Sequence, residues 1–223
     1  MKFLNKEELV FPHPSKADRR GCLAYGGDLS VERLLLAYRS GIFPWFNEGE
    51  SIRWYCPDPR MVLFPAELYV SKSMKQVLER GYFQITYNTA FDAVIKNCSK
   101  IKRDGQFGGT WITKDMISAY VKLHELGYAH SVEAWQNNEL VGGLYGVALG
   151  KCFFGESMFS KTSNASKAAF ISLVKHLETL GFWLIDCQMY TKHLASLGAG
   201  LIPRNVFLEF LKQNSREAEK LSL

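Results

Sequence analysis

The sequence predicts an α/β (α+β) protein: a small N-terminal domain, then a C-terminal mixed sheet covered by helices. Three observations carry this. A nearly continuous apolar strand at 182–189 follows a helix-period segment, two strand candidates meet at Gly150, and a charged, glycine-rich stretch at 102–109 interrupts the chain. That interruption divides it into 1–105 and 106–223. The first thirty residues read as loop, with Pro12, Pro14, a basic patch at 16–20 and the turn Gly26-Gly27-Asp28. Ser30 is placed to cap a helix over 31–41, in which Leu34, Leu35 and Tyr38 recur at helical spacing until Gly41 ends it. Residues 42–64 are aromatic and carry Pro44, Pro57 and Pro59, which exclude a helix interior or a central strand and leave strand pieces and tight turns. Short helices follow over 71–80 and 89–100. Beyond the boundary a helix over 114–126 is closed by Gly127. Strands over 130–136, 139–149 and 151–159 come next, the last two joined at Gly150. A helix over 165–180 ends at Gly181, and the apolar strand 182–189 is expected to be buried on both faces.

Composition excludes more than it selects. The chain has 223 residues, 47% hydrophobic and 22% charged, ordinary for a globular protein with a core of its own. Its formal charge of +5 comes from 27 basic and 22 acidic residues. A chance imbalance among that many charges is about 7, so the basic balance permits a nucleic-acid partner without arguing for one. The five cysteines are scattered and form no CxxC pair, which argues against a disulfide framework or a zinc site and fits a reducing cytoplasm. Charges break up the only apolar patch of the N-terminus, so no signal peptide is expected there. The most apolar stretch, 140–154, is too short and too rich in glycine to span a bilayer.

The strand WLIDCQMY is the most informative segment. Residues two apart share a face of a strand, which puts Asp186 with Gln188 and turns Ile185, Cys187 and Met189 away. A carboxylate in such a strand needs a partner or a use. Two readings fit: a buried Asp satisfied by backbone or basic donors, or an Asp that orients the Gln188 amide, whose oxygen then steers an attacking amine. The same period groups Phe154, Glu156 and Met158, where Glu156 is either the polar spot of an apolar pocket or an edge residue facing water. Trp45 and Trp111 are core anchors or surfaces on which a base stacks. His193 either packs or reaches a site. Lys72, Lys75 and Arg80 form a phosphate-binding face or a plain solvated one. No nucleophile elbow, phosphate-binding glycine loop or metal signature is present, so neither metal nor cofactor is expected.

Taken in order, GGDLS (26–30), GIFPWF (41–46), CPDPR (56–60), GTWI (109–112), LHELGYAHSVEAW (123–135), FFGESMFS (153–160), NASKAA (164–169) and DCQMYTKHLASLGA (186–199) resemble the leucyl/phenylalanyl-tRNA–protein transferase family. The match runs over about residues 10–212. The resemblance implies a C-terminal domain like the N-acetyltransferases and transfer of Leu or Phe, with Met a further candidate. The donor would be aminoacyl-tRNA and the acceptor the α-amine of a protein beginning with Lys or Arg, which marks that protein for degradation. It implies Asp186 and Gln188 as the catalytic pair, Glu156 against the amino acid's amine, and Trp45 and Trp111 on the terminal adenosine. Leu144, Met158, Phe170, Leu173 and Ile185 would form the side-chain pocket. A cytoplasmic monomer with no membrane contact is expected. An activated ester needs positioning more than a strong nucleophile, which agrees with the residues found. An acyl-CoA-dependent N-acetyltransferase is disfavoured because SKTSNASK, before the expected helix, has no glycine for a pyrophosphate. A non-catalytic tRNA- or peptide-binding module leaves Asp186 and Gln188 without a purpose.

Overall fold

The computed structural model describes residues 2–101 and 111–214, so the charged segment taken as a domain boundary lies outside the described residues. A small four-stranded sheet is built from β1 (Lys2–Leu4), β2 (Cys22–Gly26), β3 (Phe43–Pro44) and β4 (Arg53–Tyr55), in the order β1-β2-β4-β3. Helix α1 (Val31–Arg39) lies between β2 and β3 in the chain. The Ser30 hydroxyl accepts the Arg33 N–H as its cap, and Gly41 takes a positive φ of 71° just past its end.

The large sheet begins with β5 (Arg60–Leu63). After α2 (Lys72–Glu79) come β6 (Gln84–Tyr87), α3 (Phe91–Lys100) and α4 (Lys114–Glu125). The chain then adds β7 (Ala129–Gln136), β8 (Glu139–Leu149), β9 (Cys152–Ser160) and α5 (Ala165–Thr179). It finishes with β10 (Leu184–Gln188), α6 (Lys192–Ala195), β11 (Gly200–Ile202) and α7 (Arg204–Asn214). The seven strands lie in the order β11-β5-β10-β9-β8-β7-β6, antiparallel except for the β9–β10 pair.

The expected mixed sheet under helices is therefore present, with two corrections. β5 and β6 precede residue 105 yet join the same sheet as β7–β11, so the sheets do not divide at 105/106. β5 is also an interior strand within the segment from which central strands were excluded. Its four residues are all buried, and they follow Pro57 and Pro59 without containing a proline, so every ladder donor is intact.

The sheet separates two apolar clusters. Leu34 and Tyr38 of α1, Val94 and Ile95 of α3, Tyr120 of α4 and Phe207 of α7 share one of them with the small sheet. Phe170, Leu173, Val174 and Leu177 of α5 and Met74 of α2 belong to the other. α5 reaches β8 closely enough that a Cβ on Gly142 would lie 2.5 Å from that of Ala165, so only glycine fits there.

Candidate active site

Two irregularities at one level of the sheet build the site. In the β8–β9 ladder Tyr145 pairs with Ser157 and Gly146 with Gly155, which leaves Glu156 as an extra, unpaired residue. In the β5–β10 ladder Val62 pairs with Asp186 and Met61 with Gln188, which makes Cys187 the extra residue. The β9–β10 pairing itself ends at Phe154 and Asp186. Both strands thus bulge immediately beyond their last shared rung and part. Gln188 follows with a φ of +63°, rare and strained for a residue with a side chain, and Met189 N–H closes a tight turn onto the Cys187 carbonyl at 2.8 Å.

These bulges correct the alternation read from the sequence. Phe154 sits in the cluster with Tyr38, whereas Phe153 and Met158 face the other cluster, because one extra residue reverses the parity of the strand. Along β10 and the turn beyond it, Ile185, Asp186, Cys187, Gln188 and Met189 all contribute to one cavity instead of dividing between two faces.

That cavity has a volume of about 510 Å³. Asp186, Gln188, Glu156, Trp45, Trp111, Leu144, Met158, Phe170, Leu173 and Ile185, all singled out in the sequence, line it. Leu144, Phe170, Leu173 and Ile185 are its buried apolar floor. Trp111 is 9% exposed, while Trp45 is 36% exposed and packs at 5.5 Å on the Tyr55 ring. His193 lines the cavity too, with its Nε2 unpartnered among the described residues and its basicity lowered by burial and by Lys167. Lys72, Lys75 and Arg80 are exposed on and beside α2 and are not among the residues around the cavity.

The polar wall is one connected network. Arg60 Nε and Nη2 donate to the two carboxylate oxygens of Asp186 at 2.8 and 2.6 Å, and neither side chain reaches solvent. The guanidinium lies between the rings of Phe43 and Phe207, 4.9 and 4.6 Å from their centroids. Burial alone would make Arg60 easier to deprotonate; Asp186 outweighs it and raises the guanidinium above its ordinary value. Asp186 also accepts the backbone N–H of Gln188 at 2.9 Å. It therefore orients Gln188 through the main chain and not, as expected, through the side-chain amide. That amide donates to Glu156 Oε1 at 2.8 Å. Tyr38 and Tyr120 hydroxyls donate to Glu156 Oε1 and Oε2 at 2.7 and 3.1 Å, and the two hydroxyls also meet each other.

Burial pushes the Glu156 carboxyl up to about 7; its three hydrogen bonds pull the other way, and the charge of Asp186 adds to the rise. The folded state keeps this proton to about pH 7, whereas an unfolded chain releases it near 4.5. Stability should fall as pH rises between those values and level off above. Glu156→Gln is expected to remove that slope, with a difference on the order of 3 kcal/mol across the window, read from urea midpoints at successive pH values.

Arg60, Tyr38 and Tyr120 are the site residues that sequence reasoning missed. A signal existed for Arg60: an Asp inside an apolar strand calls for a countercharge, and Arg60 opens the apolar run RMVL. Cys187 is a poor nucleophile. Burial and the neighbouring Asp186 raise its thiol well above the ordinary range, and its Sγ lies 3.8 Å from the Ile185 carbonyl oxygen.

An apolar cavity with an oriented amide and two carboxylates on its wall fits a transferase site that positions its reactants. The sequence profile described as leucyl/phenylalanyl-tRNA protein transferase matches residues 62–212, and that of its N-terminal domain matches 27–58. A leucyl/phenylalanyl-tRNA–protein transferase from Flavobacterium psychrophilum is 59% identical over 96% of this chain and 100% of its own length. Counterparts from Flavobacterium johnsoniae and Syntrophus aciditrophicus are each 58% identical, over 92% and 93% of this chain and 97% and 87% of their own lengths. Among solved structures, the C-terminal domain of a putative lysylphosphatidylglycerol synthetase from Agrobacterium fabrum is similar with a TM-score of 0.46 and 11% identity, over 86% of this chain and 71% of that one. The chain belongs to the leucyl/phenylalanyl-tRNA–protein transferase family. The N-terminal profile ends at residue 58, just before β5, and the other begins at residue 62, within β5, the first strand of the large sheet.

Proposed function

We propose that the cavity receives the side chain of leucine or phenylalanine esterified to its tRNA, and that the α-amine of a protein beginning with Lys or Arg attacks the ester carbonyl there. The observation that carries this reading is the form of the cavity: a buried apolar floor of Leu144, Phe170, Leu173 and Ile185 under a wall with one amide, Gln188, and two carboxylates, Glu156 and Asp186. Met158 completes the side-chain pocket, and Trp45 and Trp111 stack on the terminal adenosine at its mouth. Gln188 donates its NH₂ to Glu156, which leaves its amide oxygen to accept from an amine. Asp186 and Arg60 hold Gln188 in its strained turn. Lys72, Lys75 and Arg80 follow the tRNA phosphates from the exposed face of α2. By its likeness to the family the enzyme works as a monomer in the cytoplasm. Separately, no helix among the described residues is long and apolar enough to cross a membrane.

Protein mixed with leucyl-tRNA and a peptide beginning with Arg is expected to yield the peptide lengthened by one leucine. Inactivity with charged tRNA but transfer from acetyl-CoA would instead make it an acetyltransferase, and binding of charged tRNA with no transfer would make it a recognition module. Leu173→Phe places a second ring on the pocket floor. In competition between the two charged tRNAs, phenylalanine transfer should fall relative to leucine transfer by about 10- to 200-fold, the range for one misfitted apolar group.

A further inference from the structure

Joining an amine to an ester carbonyl releases one proton from nitrogen, and the departing ribose oxygen needs one. Asp186 is badly placed to carry it. Its Oδ1 accepts Arg60 and the Gln188 N–H, its Oδ2 accepts Arg60, and the carboxylate is fully buried. The Gln188 amide is too weak a base. Glu156 is the other carboxylate on the cavity wall.

Its surroundings form a ring. Tyr38 contacts Oε1, Tyr120 contacts Oε2, and the two hydroxyls contact each other. Two phenols bring two hydrogens to three oxygen–oxygen contacts. While Glu156 is a carboxylate, one contact must lack a hydrogen. With one more proton on Glu156, each contact holds one: Glu156 donates to Tyr120, Tyr120 to Tyr38, and Tyr38 to the other carboxyl oxygen. The ring has room for one transferable proton.

Resting on the transfer reading above, we propose that Glu156 is the catalytic base of the reaction and that Tyr38 and Tyr120 are positioning residues that share the proton it takes. The neutral amine attacks the ester carbon and forms the C–N bond; its proton passes to Glu156. When the C–O bond to the ribose breaks, the same proton goes to the departing oxygen, which is bound to the same carbon as the nitrogen until that moment. Glu156 ends as the carboxylate it began as, so no proton is left over. The titratable and charged groups facing Glu156 are Tyr38 from α1, Tyr120 from α4, Asp186 from β10 and Arg60 from β5, with Tyr145 of β8 against the Tyr120 ring. Burial raises both Tyr38 and Tyr120 well above the ordinary phenol range, so they hold their protons and relay without ionising. The carboxyl itself is pushed up to about 7, close to the working pH of a base.

The test is single-turnover transfer of leucine to an Arg-initiated peptide at sub-saturating peptide, followed across pH. Below pH 6.5 the wild-type rate should fall about 100-fold per unit, because both the amine and Glu156 must be deprotonated, against about 10-fold per unit for Glu156→Gln. At pH 8 Glu156→Gln should be slower by about 100-fold or more, with its Kd for leucyl-tRNA within about threefold of wild type. Tyr120→Phe removes a donor to the carboxylate, so its Glu156 limb should move to higher pH, a displacement that a merely structural tyrosine would not cause. An infrared carboxyl band that titrates near neutral pH in the wild type, and is missing in Glu156→Gln, reads the same proton without any transfer. The proposal is overturned if Glu156→Gln keeps the steeper limb, or if its whole loss lies in leucyl-tRNA affinity, which would make Glu156 a counter-ion of the bound amino acid. It is equally overturned if no such band titrates. A wild type that transfers nothing yet shows the band would refute the assigned reaction while leaving the proton ring intact.

Discussion

Arg60→Met is expected to lower the folding free energy by about 3–5 kcal/mol, the range for removing one partner of a buried ion pair. The loss comes from what remains: Asp186, with no exposure to water, would be left without the guanidinium that now offsets its carboxylate. Adding Asp186→Leu removes the stranded charge, so the double variant should recover most of the stability by urea unfolding. Activity should not return with it. In the double variant the Gln188 N–H lacks its acceptor, and the turn at a φ of +63° loses the contact that holds it. A single variant within 1 kcal/mol of wild type would mean that the buried pair contributes little to stability. A double variant that regains full transfer would mean that the pair serves stability alone. Should Arg60→Met fail to fold, Arg60→Lys keeps the charge but loses the two-pronged geometry, and the same comparison of stability with transfer applies.

What could be read in the sequence was whatever depends on near neighbours along the chain. α4, β8 and α5 fall within a residue or two of where periodicity and their closing glycines place them. The ten residues expected in the pocket and catalytic pair do meet at one cavity. The reason given for their meeting was incomplete, because alternation of faces assumes a strand with no extra residue. A bulge is invisible to period-two reasoning unless its partner strand is known, and both bulges here are defined by partners: Glu156 by Tyr145 and Gly146, Cys187 by Val62 and Met61. Arg60 and Asp186 are 126 residues apart, and Tyr38 and Glu156 are 118, so no local pattern joins them. Tyr38 was legible as an apolar-face residue of α1; its hydroxyl acquires a role only when the sheet brings Glu156 beneath it.

Gly146→Ala should disable transfer by disturbing the bulge that presents Glu156. A Cβ at Gly146 would stand 2.3 Å from the Phe154 carbonyl oxygen and 2.6 Å from the Phe153 ring. The carbonyl is backbone and cannot rotate aside, so β9 itself must shift. Gly146 pairs with Gly155, the residue just before the unpaired Glu156, which puts the displacement at the foot of the carboxylate. Overpacking of this kind costs about 1–3 kcal/mol, enough to register in a urea midpoint without abolishing the fold. The catalytic loss should be larger, about 100-fold in single-turnover rate, since moving a reacting group by roughly 1 Å is sufficient for that. Gly200→Ala is the control: it is also a strand glycine, but nothing lies within 4 Å of its added Cβ, so both quantities should stay close to wild type. If Gly146→Ala lost stability as expected yet kept transfer within about threefold, the position of Glu156 would not depend on the glycine-permitted contact between β8 and β9. The glycines of LVGGLYG would then serve packing alone.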